Sequence, residues 1–340
     1  MTKFIIKRIL ISIVIFFFVM FIIYALEFSL PSSYVEKQAR ELSQKPGSTK
    51  SADEWLNDLK AQYGMDKGIV GGYFTWLGSM ATLNFGDSWQ HTAPVTEVFK
   101  GCIWYSFVLS AISFVLEILI AIPLGVVAAR KQYSFTDYFV TVVAMVCISL
   151  PTFFVATLLK YLFAVIPSQP NAPWWAVIKL PLSGMVDGRT GHKLSGWAQF
   201  WDLTRHFILP ALTLTIISIG SLMRYTRTNM LEVLNADYIR TARAKGLPER
   251  KVINRHAFRN TLIPLVTILG GSLPSLFGGA LITETLFGLR GIGYLSYQSL
   301  TNGDIPFTMF YLAFISILTL LGNLIADILY AVVDPRVRVN

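Results

Sequence analysis

Charge is scarce in this sequence. Only 14% of its 340 residues are charged, against about 25% in a typical soluble domain. With 54% hydrophobic residues, a water-soluble fold would need a polar cover that the composition does not supply. Much of the surface must face a solvent other than water. Cysteine is scarcer still. Cys102 and Cys147 lie in or beside apolar runs, with no paired spacing and no His/Cys cluster, so neither a disulfide frame nor a metal site is expected. His91, His192, His206 and His256 are scattered, with no pair at i,i+4. Catalytic signatures are missing too: there is no G-x-x-x-x-G-K-[ST], no H-E-x-x-H and no G-x-S-x-G. Leu194-Ser195-Gly196 begins like an ATPase signature but continues Trp197-Ala198. Gly288, Gly291 and Gly293 lack dinucleotide spacing and follow no strand. The chain is therefore expected to hold no catalytic residue, no metal and no cofactor of its own. No internal repeat, low-complexity tract or flexible linker is visible.

What the sequence has is long apolar runs. A bilayer takes roughly 20 apolar residues as a helix, and candidates fall at 9–26, 103–129, 136–166, 206–230, 262–286 and 306–333. The first follows Lys3, Lys7 and Arg8 like a signal peptide, but its 18 residues exceed the usual h-region of about 7–15 and no small-x-small pair follows. An uncleaved first helix is expected. The second and third runs carry Pro123 and Pro151, and the fifth carries Gly270, Gly271, Pro274, Gly278 and Gly279. Such residues are tolerated in membranes where neighbouring helices satisfy the freed backbone, and small residues permit close helix packing. The fifth run reads as a packed, kinked inner helix.

Orientation follows from Lys and Arg in the connections. Segments 1–8, 130–137, 224–261 and 334–340 hold 16 such residues in 61 positions, whereas 31–100, 167–205 and 288–305 hold 12 in 127. The denser set is expected in the cytoplasm, with both termini inside. The net charge of +9 is thereby read as topology rather than as affinity for nucleic acid. Residues 1–30 form an end and first span, 31–100 an extracytoplasmic segment with short helices, and 101–340 a membrane core with an outer loop at 167–205. Ser51-Ala52-Asp53-Glu54 has capping-box form, with Gly64 ending that helix. Residues 71–86 are rich in Trp, Tyr, Phe and Gly, as befits a segment near lipid headgroups.

Four acids lie within or at the ends of these spans. Ionisable groups in a bilayer are costly and carry a functional reading by default. Glu27, Glu284 and Asp327 are near span ends, where water would reach them, and Asn323 shares a helix face with Asp327 at i,i+4. Glu117 is central and is expected to face a cavity or a partner helix, as a pathway residue or an interhelical hydrogen-bonding group.

The loop 224–261 is the strongest local signal. Gly246 suits a helix C′ position and Pro248 a fresh helix start, giving two short helices around a sharp turn. Attraction to anionic lipid needs charge alone and would not ask for Ala242, Gly246 and Pro248 between the charges. A shaped turn of small residues suits protein docking.

At these residues the sequence resembles the permease subunits of ATP-binding-cassette importers, whose loop bears the EAA motif. Arg240-Thr241-Ala242, then Arg243-Ala244-Lys245, then Gly246 match its third Ala and its Gly, while the Glu and first Ala depart. Asp237 through Gly246, with Arg255-His256-Ala257-x-Arg259-Asn260 and Ile263-Pro264, is similar to the oligopeptide/dipeptide branch. So are Lys7-Arg8, Gly64-Met65-Asp66-Lys67, Phe85-Gly86-Asp87-Ser88 and Leu150-Pro151-Thr152-Phe153. Glu284-Thr285-Leu286-Phe287, Gly291-Ile292-Gly293, Asn323 through Asp327 and Asp334-Pro335-Arg336 complete the pattern. The long segment after the first span points to the B-type of the two permeases. Relatives in the branch also carry nickel chelates, glutathione or haem, and residues 167–205 are longer than usual for it.

The resemblance implies an all-α polytopic membrane protein with six transmembrane helices of the type I ABC importer permease fold, in a bacterial inner membrane. It implies a homologous permease partner, two ATP-binding subunits carrying ATP and Mg, an extracytoplasmic substrate-binding protein and a peptide cargo. The docking residues implied are Asp237, Arg240, Thr241, Ala242, Arg243, Lys245, Gly246, Leu247, Pro248, Glu249, Arg250, Arg255, His256, Arg259 and Asn260, with a short helix at 247–256 carrying motion into the spans. Two other readings compete. An ion-driven secondary transporter would use intramembrane acids and symmetry-related broken helices, of which Glu117 alone is visible. A membrane enzyme would need converging catalytic side chains.

Overall fold

A computed structural model describes residues 2–29, 33–62, 64–174, 176–187 and 195–333. His192, Leu194, part of the 167–205 loop and the Asp334-Pro335-Arg336 motif lie outside the described residues. The described elements are helices α1 (Thr2–Phe28), α2 (Ser33–Ser43), α3 (Ala52–Gln62), α4 (Gly68–Ala81), α5 (Val95–Arg130), α6 (Phe135–Ser149) and α7 (Thr152–Lys160). They continue as α8 (Trp197–Leu234), α9 (Asp237–Ala244), α10 (Glu249–Lys251), α11 (Phe258–Ser272), α12 (Leu281–Phe287), α13 (Ile292–Asn302) and α14 (Ile305–Val333). Among the described residues there is no strand, only an isolated bridge between Asp87 and Pro94.

Among the described residues, five helical stretches are long and apolar enough to cross a membrane unbroken: Ile5–Phe28, Val95–Arg130, Trp197–Leu234, Glu249–Phe277 and Ile305–Ile328. A bent pair, α6 with Thr152–Ser168, turning by 101°, makes a sixth when the two are counted as one span. The expected span 136–166 is thus not one straight helix. Leu150 is extended (φ −77°, ψ 129°) and Pro151 caps α7, because a proline ring pushes the preceding residue out of the helical region. Pro123, Pro210 and Pro264 lie inside continuous helices.

The expected fifth span, 262–286, is also displaced. Its helix starts at Glu249 and runs through a π-helical segment, Val252–Ala257, into α11 and a 3-10 end at Phe277. The chain then breaks at Gly278 and Gly279, the latter at φ +76°, and α12 is a separate short helix. An apolar run in sequence reads through such a break, because the break depends on backbone angles that glycine permits.

Packing separates the chain into two compact units. One comprises residues 1–104 and 295–324; its core gathers Met20 and Tyr24 of α1, Ala39 of α2, Leu59 of α3, Tyr73 of α4, and Met309 of α14. The Tyr73 hydroxyl donates to the Phe17 carbonyl at 2.7 Å, tying α4 to α1. The expected capping box opens α3: Ser51 N–H donates to Glu54 Oε2 at 2.7 Å, and Glu54 N–H donates to Ser51 Oγ at 3.3 Å. The other unit comprises residues 105–294 and 325–340. In it α6 and α7 pack on α8, around Ala121, Val140, Ala144, Leu222 and Met223 at one level and Leu109, Val155, Leu209 and Phe287 at another.

Candidate functional site

The loop expected at 224–261 is shorter as a free segment. Residues 224–234 belong to α8, and 249 onward to the following span. Of the expected helix at 247–256, residues 249–256 are the first turns of that span and 247–248 the turn before it; the separate short helix is α9. One apolar face of α9 is buried, with Ile239 fully covered and Ala242 nearly so, against Met230, Val252, Ile253 and Ala257. The periodicity explains this: Ile239 and Ala242 are three apart and share a helix face.

A Schellman turn ends α9. Gly246 N–H donates to Arg243 O at 2.9 Å and Leu247 N–H to Ala242 O at 3.3 Å, the 5→2 and 6→1 pairs of that motif. Gly246 sits at φ +75° with nothing within 4 Å of where a Cβ would stand, so its requirement is backbone conformation, not space. Pro248 then caps α10. Across the turn Arg243 holds Glu249 in a two-pronged pair, Nη2 to Oε1 at 2.8 Å and Nε to Oε2 at 3.1 Å, and this hydrogen bonding raises the Arg243 guanidinium above its ordinary range. Planar bidentate pairs fix orientation as well as charge.

Residues 243–251 are all exposed. Of the expected docking residues, Asp237, Arg240, Thr241, Arg243, Lys245, Gly246, Leu247, Pro248, Glu249, Arg250, Arg255, Arg259 and Asn260 lie on the surface. Ala242 is buried and His256 half-buried. Burial pushes the Tyr238 phenol up, opposed by its hydrogen bond to Asn260, so the two ends of the loop meet. The tip is thus a small basic surface seated on the ends of α5 and α8, where Ala129 and Met230 contribute to its floor.

Glu117 stands in the wall of a cavity of about 500 Å³ bounded by α5, α8, α11 and the break after it. Six serines line the same space: Ser110, Ser113, Ser218, Ser221, Ser272 and Ser275. Ser113, Ser221, Ser272 and Ser275 already donate to helix carbonyls, which leaves oxygen lone pairs to the cavity.

Glu284 and Glu27 are not near water as expected: they are 1% and 7% exposed. Glu284 accepts from Ser106 Oγ at 2.6 Å, Ala280 N–H at 2.9 Å and Tyr294 N–H at 2.7 Å, and Ser106 Oγ accepts in turn from Ile292 N–H at 2.7 Å. The Gly291-Ile292-Gly293 motif exists to let the backbone close on this carboxylate; a Cβ on Gly291 would lie 2.4 Å from both Glu284 Cδ and Ser106 Oγ. Asn323 is exposed on α14 and Asp327 half-buried one turn on.

Three further polar groups escaped the sequence reading. Asp137 on α6 binds Arg227 on α8 through two contacts of 2.6 and 2.8 Å. Lys160, within the bent pair, donates to the Leu286 carbonyl at 2.7 Å and stands 5.4 Å from the Phe287 ring centroid. Asp304 accepts from Ser88 Oγ at 2.5 Å and Trp89 N–H at 3.1 Å, which gives the Ser of Phe85-Gly86-Asp87-Ser88 its role. Lys160 was legible as a charge inside an apolar run; the other two pairings join residues far apart in sequence.

Known families agree with this architecture. Residues 121–339 match the family described as binding-protein-dependent transport system inner membrane component, and residues 1–127 match the N-terminal family of such membrane components. The oligopeptide transport system permease protein AppB of Bacillus subtilis is 37% identical over 82% of this chain and 83% of its own length. A putative peptide permease protein of Brucella ovis is 35% identical, over 84% and 85%. The dipeptide transport system permease protein DppB of Alkalihalophilus pseudofirmus is 31% identical, over 83% and 86%. The chain belongs to the family of inner-membrane components of binding-protein-dependent transport systems, the ABC permeases, in their oligopeptide/dipeptide type.

Proposed function

We propose that the chain is the permease subunit of an ATP-driven importer of oligopeptides or dipeptides, forming half of the translocation pathway. The observation that supports this reading is the likeness to peptide permeases over more than four fifths of the chain, joined to an exposed basic loop seated on the ends of α5 and α8. In this reading α9 and the Gly246 turn sit in a groove of a partner ATPase, which carries ATP and Mg. A homologous permease completes the pathway, and an extracytoplasmic binding protein delivers peptide. Both termini and the loop are cytoplasmic. ATP binding draws the ATPases together, and because residues 249–257 are the base of a membrane span, movement of the loop passes directly into α11 and the cavity wall. Such coupling requires two arrangements that ATP favours unequally.

The test is to isolate the chain with its neighbouring gene products and measure ATP-dependent peptide uptake in vesicles. Co-purification of an ATPase and loss of uptake without ATP are expected. Uptake that follows an ion gradient and survives removal of every ATPase overturns the proposal.

A further inference from the structure

At the end of α1 away from the N-terminus, Glu27 lies in a pocket that none of the transport chemistry uses. The side chain is 7% exposed, and its Oε2 has no hydrogen-bond partner. A carboxylate taken from water without a partner is strongly disfavoured, and either a proton or a cation in the pocket relieves it. Its free volume is about 50 Å³, against the roughly 10–15 Å³ of such space that one water needs.

The walls define the missing group. Tyr24, Phe28, Trp76 and Phe85 bring aromatic surface from α1, α4 and the segment after α4, and aromatic walls attract cations. Gln62, Ser79 and Asn84, whose side chains carry acceptor oxygens, line the same pocket. Ser79 already donates to Thr75 O and Asn84 Oδ1 already accepts from Gly86 N–H, leaving lone pairs on both. An ammonium group has three donors and no acceptor, which this set of one carboxylate and neighbouring oxygens satisfies. A divalent metal ion fits poorly, since calcium takes about 6–8 oxygen ligands and magnesium an octahedron of them. A quaternary ammonium has no N–H to give Glu27.

We propose that this pocket binds a primary alkylammonium group, with Glu27 as its counter-ion. Two sources share that chemistry: the ethanolamine headgroup of a phospholipid and a free amine. The pocket's place at the end of a spanning helix, beside α4 with Val70 and Phe74 exposed, sets it at headgroup level, where aromatic side chains gather.

The test uses the full chain purified in detergent and in nanodiscs. Ethylammonium chloride is titrated at constant ionic strength against tetramethylammonium and sodium chlorides, with thermal unfolding and Trp76 fluorescence (Trp76→Phe as the blank) as readouts. In parallel, native mass spectrometry compares retention of phosphatidylethanolamine and phosphatidylglycerol. Saturable stabilisation by ethylammonium alone is expected, weakened at least tenfold in Glu27→Gln. Preferential retention of phosphatidylethanolamine, lost in the same variant, assigns the source to lipid; saturable ethylammonium binding with no lipid preference assigns it to a free amine. Should Glu27→Gln fail to fold, the comparison of the three salts on the unaltered chain decides. Equal effects of all three, or no saturable binding of ethylammonium or phosphatidylethanolamine, overturn the proposal.

Discussion

Gly246 shows how much one residue can carry. Its φ of +75° costs an L-residue about 1–2 kcal/mol, and the open space around it means no steric term is added. Gly246→Val is expected to unmake the Schellman turn and reduce ATPase retention or uptake severalfold, whereas Gly246→Asn, which tolerates the left-handed region, is expected to retain most of both. Equal behaviour of the two in co-purification would show that the turn's conformation does not matter. The Asp137–Arg227 pair makes an asymmetric prediction. Asp137 is 3% exposed and Arg227 25%, so Arg227→Met strands a buried carboxylate, at a cost on the order of 3 kcal/mol. Asp137→Ala leaves a guanidinium that can reach water, and is expected to cost less; unfolding midpoints in detergent compare them. Glu54 is held below the usual carboxylate range by the Ser51 backbone and side-chain hydrogen bonds. Because its folded value is depressed, the contribution of the capping box is present above the unfolded value and lost as pH falls through the folded one. A site-resolved carboxyl titration should therefore give a midpoint below that of a free glutamate, rising in Ser51→Ala.

At the scale of elements, the loop is held by α9's buried face. Ile239 is fully covered, and a buried Ile→Ala exchange removes about 2–5 kcal/mol, enough to lift a two-turn helix from its seat. Ile239→Ala is expected to speed hydrogen exchange over 237–247 while leaving α8 protected; unchanged exchange there would show that α9 is held by other contacts. The prolines make the complementary point. Pro123, Pro210 and Pro264 lie inside continuous apolar helices, whereas Pro151 coincides with a sharp break. A missing N–H is tolerable when neighbours satisfy the freed carbonyl, and neighbours are not written next to the proline. The helix caps are local and so were readable: Ser51 with Glu54, and Gly246 with Pro248.

Across the whole molecule, the orientation rests on the density of Lys and Arg. In a background lacking Cys102 and Cys147, Lys45→Cys is expected to react with a membrane-impermeant maleimide in intact cells, and Lys245→Cys only after the membrane is opened. The reverse pattern would invert the topology. The glycine motif and Glu284 act at this scale too. Glu284→Ala would leave the Ser106 hydroxyl and two backbone N–H groups buried without an acceptor, each costing about 1–3 kcal/mol, and should lower the yield of folded protein more than Glu117→Ala does.

The sequence by itself determined the solvent, the helical class, most spans within several residues and the shape of the basic turn. Each follows from composition or from residues within one helical turn of each other. Tertiary structure alone decided that the span at 136–166 is bent, that the fifth span starts at Glu249 and ends before α12, and that Glu284 is a buried tie rather than a wetted acid. It also decided which distant groups meet, such as Asp137 with Arg227 and Ser106 with Glu284. The physical reason is that a buried charge or a freed carbonyl is stable only when something far along the chain completes its hydrogen bonds, and no local pattern names that partner.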